Sequence, residues 1–165
     1  MFKVLLLFTL LGGTQANDNV VWLARSCVGE AGFESGETGE CAAIHHVYLK
    51  RSHIAKLRYS KIMHNYSAAI RPGHGKRWVR NLRVDGKKPL GFGKLDWSNY
   101  RDKWLGVLDT ARKLLAGKIP DPLPDALHYG GWVDRHRLDR RYWKPIKNTG
   151  FRNTFYERRK NKKGC

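Results

Sequence analysis

Acidic residues are scarce in this chain: 14 Asp and Glu stand against 32 Lys and Arg, a formal net charge of +18. That imbalance alone does not select a function, but it predicts salt-sensitive binding to a polyanionic surface. Cysteine is nearly absent, with three residues, Cys27, Cys41 and Cys165, and no C-x-x-C pair, which argues against zinc-ribbon and thiol-redox motifs. An odd number leaves one thiol unpaired or bridged between molecules. Beyond a short N-terminal stretch there is no candidate membrane span, and that stretch falls short of the roughly 20 apolar residues a spanning helix needs. No internal repeat is present, which excludes a solenoid. Neither an aromatic RNP strand nor a zinc-finger pattern occurs. His45, His46 and His53 lack the i, i+4 spacing of a zinc-binding helix, and Asp134 and His136 have no further ligand close in sequence. No metal and no cofactor are expected.

What the chain does contain fits one folded domain. At 165 residues and 41% hydrophobic it has enough apolar mass for a single core and too little disorder-promoting composition to stay unfolded. Six Trp and seven Tyr imply either a packed aromatic core or a stacking platform for sugars or bases. The first sixteen residues read as a secretory signal, with Lys3 as the basic region, Val4 to Leu11 as the apolar run and Thr14-Gln15-Ala16 as a small-x-small cleavage site. The alternative is a buried N-terminal helix. Residues 17–156 then form the working domain and 157–165 a basic tail. Export removes a basic protein from nucleic acid and brings it to envelope polymers and lipids, so a secreted, periplasmic or virion-associated location is expected.

Apolar residues at helical spacing predict helices over 18–29, with Asp18 as its cap, and from about Gly39 to Lys56. A short helix is expected within 58–67, capped by Ser60. A long basic loop follows from Arg71 to Lys94, interrupted near Trp78. The clearest helix spans 98–116, where Trp97, Tyr100, Trp104, Val107, Leu108, Ala111, Leu114 and Leu115 form one stripe ended by Gly117. These aromatics are core by default. Residues 125–156 read as irregular. Cys27 and Cys41 either pair across two neighbouring helices or are small buried residues. The fold class expected is mainly α, a single domain with long loops.

The stretch that carries chemistry is Glu30 at the C-terminal end of the first helix. A helix end carries roughly half a negative charge, which disfavours a carboxylate, and partial burial adds to that effect. A carboxylic acid held protonated near neutral pH is what glycosidic cleavage needs. Ala24-Arg25, Gly29-Glu30-Ala31, Gly39 and Arg51 together resemble the cell-wall hydrolase family that includes the spore-cortex-lytic enzymes. Asn65-Tyr66-Ser67 is similar to that family's aromatic-Ser element, and Ala126-Leu127-His128-Tyr129 to its aromatic segment beside the cleft. Asn153-Thr154-Phe155-Tyr156 is similar to the ends of phage-related members.

The resemblance implies a lysozyme-like α fold with one essential glutamate, Glu30. It also implies a cut between N-acetylmuramic acid and N-acetylglucosamine, by a lytic transglycosylase or a muramidase. A transglycosylase needs no second carboxylate; a hydrolase would, with Glu37 or Glu34 nearest in sequence and Glu40 unassigned. Candidate substrate contacts are Tyr66, Ser67, His128, Tyr129 and Trp132, in a cleft between the 18–57 helices and the 66–97 and 125–134 loops. Arg71, Lys76 and Arg77 would meet the anionic stem peptide or lactyl carboxylate. Expected partners are peptidoglycan and anionic cell-wall polymers, with no specific nucleic acid and no transmembrane segment in the mature chain. Two other classes fit the charge: a basic envelope-binding protein without catalysis, and a nucleic-acid-binding protein.

Overall fold

A computed structural model describes residues 5–130 and 138–159, with side chains from Asp18 onward. Trp132, Asp134, His136 and Cys165 lie outside these residues. Among the described residues five α-helices and three strands follow in order, with a short 3-10 helix at Phe33–Gly36 after the first: α1 Leu5–Ala31, α2 Glu40–Ala55, α3 Tyr59–Tyr66, α4 Arg77–Arg80, α5 Ser98–Leu115, then β1 Ala126–Gly130, β2 Trp143–Pro145 and β3 Thr154–Arg158. Among the described residues no helix is long and apolar enough to cross a membrane.

The core forms where α1, α2 and α5 meet. Leu23, Ala24, Cys27, Ile44, Val47, Tyr48, Trp104, Leu108 and Ala111 are all essentially inaccessible. The stripe read along 98–116 is core, as its spacing implies: Trp104 is fully buried and its indole N–H donates to the Arg83 carbonyl at 2.7 Å. A second aromatic cluster of Phe33, Trp78, Phe92, Trp97 and Tyr100 holds the long basic loop against α5. Arg25 on α1 ties the same loop down through two bonds to the Leu82 carbonyl, at 3.0 and 2.6 Å.

Cys27 and Cys41 form a disulfide that joins the last turns of α1 to the first turn of α2, with Cα atoms 5.1 Å apart. A loop of this length is stabilised by about 3 kcal/mol on closure. The loop it closes contains Glu30, so the crosslink also restricts the backbone that carries that carboxylate.

Several local expectations need correction. The first helix begins at Leu5, so Asp18 lies inside it and caps nothing. Ser60 is likewise inside α3, whose N-cap is Arg58. The larger correction is within residues 125–156, where three strands form among the described residues while 146–153 stay irregular. β3 pairs antiparallel with both β1 and β2, giving a three-stranded sheet in the order β1-β3-β2. Phe155 of β3, with Ala126 and Tyr129 of β1, joins the hydrophobic core and fastens the sheet to the helices, while Tyr156 is buried against His128. Arg158 belongs to β3 and pairs with Trp143, so the basic tail does not start there. Pro145 is accommodated because β2 is an edge strand, where one missing N–H breaks no interior ladder.

His45 on α2 gives the fold a dependence on acid. Its residue is 1% exposed, and Nδ1 lies 2.7 Å from the Tyr59 hydroxyl. Burial, helped by neighbouring His46 and opposed by Asp121, lowers its pKa to about 4. The folded state therefore resists a proton that the unfolded chain takes up near pH 6.5. Stability from this group is complete above about pH 6.5 and falls as the pH drops towards 4, by on the order of 3 kcal/mol. Thermal melts from pH 7 to pH 4 are expected to show this decline, and His45→Gln to flatten it; an unchanged slope in the variant would assign the acid sensitivity elsewhere.

Candidate active site

Glu30 sits in the last turn of α1, half-buried, one residue after the closest approach of α1 to the chain that follows α3. Its Oε1 accepts from the Ser67 hydroxyl at 2.8 Å and from the Ala69 backbone N–H at 3.3 Å. Two donors on one oxygen set the orientation of the carboxylate rather than leaving it to rotate.

The approach depends on two glycines. A Cβ built on Gly29 would lie 2.2 Å from the Ala69 Cβ and 3.3 Å from Val79 Cγ1. On the other side of the same segment, a Cβ on Gly75 would lie 2.9 Å from both the Cα and the carbonyl oxygen of Ala69, at a backbone φ of +64°. The segment that donates to Glu30 is thus gripped between two positions that tolerate no side chain. Gly29→Ala is expected to destabilise the fold by about 1–3 kcal/mol through overpacking. It should also lengthen the Ala69 N–H bond to Glu30. A thermal melt checks the first effect and exchange of the Ala69 amide the second; an unshifted melt would show that the segment simply moves aside.

Behind Ser67 lies a buried cluster of hydroxyls. The Ser67 hydroxyl lies beside the Tyr48 phenol and acts on it electrostatically. That phenol also lies 2.6 Å from the Ser26 hydroxyl and 2.5 Å from the Tyr129 hydroxyl. Burial first, and then the charge of Glu30, push the Tyr48 phenol well above its ordinary pKa. Burial and the neighbouring Tyr48 and Glu30 do the same at Tyr129. Both phenols therefore stay protonated at neutral pH and remain donors.

A second group surrounds Arg51 of α2. Its Nη1 donates to the Tyr66 hydroxyl, its Nη2 lies 3.0 Å from His128 Nδ1, and its Nε donates to the Leu127 carbonyl at 2.6 Å. The guanidinium lies 4.2 Å from the Tyr66 ring centroid and 5.8 Å from that of Trp143. His128 also packs against Trp143 and Tyr156.

Of the residues read from the sequence, Ser67 and Tyr129 join Glu30 in one polar cluster, while Tyr66 and His128 join each other through Arg51. The two groups adjoin, because Tyr66 precedes Ser67 and His128 precedes Tyr129. Trp132 lies outside the described residues. Arg71, Lys76 and Arg77 stand on the loop and helix start after this segment, mostly exposed.

The other acidic residues have separate duties. Glu34 is exposed and ion-paired with Lys103 of α5 at 2.8 Å, and that bond holds its carboxyl below the usual range. Glu37 is exposed. Glu40 is buried and accepts from the backbone N–H groups of Arg152 and Asn153 at 2.9 and 2.8 Å and from the Asn153 amide at 2.9 Å. The same Asn153 amide nitrogen donates to the Glu30 carbonyl at 3.1 Å, so Glu40 supports Glu30 from behind. Sequence reasoning missed Ser26, Tyr48, Asn153 and this role of Glu40. Only Ser26 left a trace, being one helical turn before Glu30 on the same face.

His46 is spent on the Ile119 carbonyl at 3.2 Å and His53 is exposed. Among the described residues no three His, Cys, Asp or Glu side chains gather as metal ligands. Comparison with protein-family models, with curated proteins and with solved structures finds no match to this chain.

Proposed function

We propose that this protein cleaves the glycan strands of peptidoglycan outside the cytoplasmic membrane, in a lysozyme-like arrangement, with Glu30 as general acid and base. The observation that carries this reading is a single oriented carboxylate at a helix end, backed by hydroxyls that remain protonated. Glu30 gives its proton to the glycosidic oxygen as the bond from C1 of the muramic residue breaks. The resulting carboxylate then takes the proton of the C6 hydroxyl, and that oxygen closes on C1 to leave an anhydro ring. The path consumes no water and returns Glu30 to its starting form. This path needs no second carboxylate, whereas of Glu34, Glu37 and Glu40 a two-carboxylate hydrolase would have only Glu37 to draw on, since Glu34 and Glu40 are engaged by Lys103 and by the 152–153 backbone.

Digestion of purified peptidoglycan, followed by mass spectrometry of the soluble fragments, tests the reading. Anhydro-muramyl ends are expected. Reducing ends would move the mechanism to hydrolysis, and an absence of fragments from the folded protein would overturn the proposal.

A further inference from the structure

From Cys41 to Val84 the chain carries ten Lys and Arg and no Asp or Glu. This stretch builds nearly all of α2, then α3, the following loop and α4, and each of the three helices packs against α1. On α5 and in the loop before it the charges are mixed. On α5, Lys113 pairs with Asp109 at 2.6 Å and Lys103 with Glu34. Within the acid-free stretch, Lys50 is taken by Asp121, Arg51 by Tyr66 and His128, and Arg83 by Asp85. Lys56, Arg58, Lys61, Lys76 and Arg77 are exposed, and among the described residues none of them enters an ion pair. A shallow, open depression lies at the corner of α2 and α3, lined by Leu57, Arg58, Ser60, Lys61 and His64. His64 is held there by its Nδ1–H, which donates to the Ser60 carbonyl at 2.8 Å, and by edge contact with Trp22.

We propose that this acid-free face is a docking surface for a phosphodiester-linked polymer of the cell envelope, with one phosphate seated by Arg58, Ser60 and Lys61. A guanidinium fork, an ammonium and a hydroxyl together match a phosphate, and no carboxylate competes for them. Exposed cations also stand at Lys56 before α3 and at Lys76 and Arg77 after it, a number that suits a chain of repeating charges better than a single headgroup. The loop that carries Lys76 is the one whose Gly75 packs on Ala69, the donor to Glu30. Choosing a wall polymer over nucleic acid rests on the glycan-cleaving reading, since the polymer would then be borne on the strand being cut.

The test is binding of the full chain to a purified glycerol-phosphate polymer, measured across a range of NaCl. Arg58→Gln with Lys61→Gln is compared with an equal charge change on another face, Arg112→Gln with Lys118→Gln. The first pair is expected to lose affinity by about tenfold and to flatten the salt dependence by one to two phosphate contacts. The second is expected to lose less than about twofold, as remote surface charges do. Equal losses in both pairs would overturn the proposal. So would a loss that is larger on duplex DNA or on phosphatidylglycerol vesicles than on the polymer. The polymer has no glycosidic strand to cut, so failure of wall cutting by the wild type would remove the catalytic reading and leave this binding result to stand or fall alone.

Discussion

Glu30→Gln is expected to reduce the release of fragments from peptidoglycan by about a thousandfold, within the range that loss of a positioned general acid and base produces. The substitution keeps the shape of the side chain. The Gln Oε1 still accepts from the Ser67 hydroxyl and the Ala69 N–H, so the segment gripped by Gly29 and Gly75 has no reason to move. What is lost is the transferable proton. Thermal stability should therefore change by no more than about 0.5 kcal/mol, as for substitutions that leave packing intact. The contrast with Ser67→Ala is informative. That change removes one orienting donor but leaves the acid itself, so a loss of about ten- to a hundredfold is expected. If the Glu30→Gln chain retained more than a tenth of the wild-type rate, another group would have to be the acid.

The helices were legible because each carries local signals that do not depend on the rest of the chain. Gly39 precedes α2 in a left-handed conformation and Lys56 follows it in the same one, within a residue of where the apolar spacing begins and ends. Gly117 stops α5 in the same way. The sheet left no such signal. β1 and β3 are five residues each and β2 only three, and β1 reads Ala-Leu-His-Tyr-Gly, with no alternation of apolar and polar. These strands exist because Phe155, Tyr129 and Ala126 find the helical core, a long-range effect that no local window contains. The same distinction divides the site. Glu30 could be singled out because its position at a helix end has a local chemical meaning. Tyr48 could not, because its importance lies in meeting Ser26 and Tyr129, 22 and 81 residues away.

Glu40 shows the cost of reading carboxylates by proximity in sequence, and its removal is expected to have the largest effect on stability. The side chain is 3% exposed and accepts three hydrogen bonds, two from backbone N–H groups. Glu40→Ala would leave those donors buried without a partner, at about 1–3 kcal/mol for each, so a loss of at least about 3 kcal/mol is expected. Glu40→Gln should also be costly, since one accepting oxygen is replaced by an amide that faces an N–H donor. The two variants together separate lost acceptors from lost charge. Exchange of the Arg152 and Asn153 amides should accelerate in both. Because Asn153 bridges Glu40 to the Glu30 carbonyl, wall cutting measured well below the melting temperature should fall as well, through disturbed placement of α1's last turn. If Glu40→Ala instead melted like the wild type while cutting was abolished, Glu40 would be acting on the substrate, and the protein would be a two-carboxylate hydrolase.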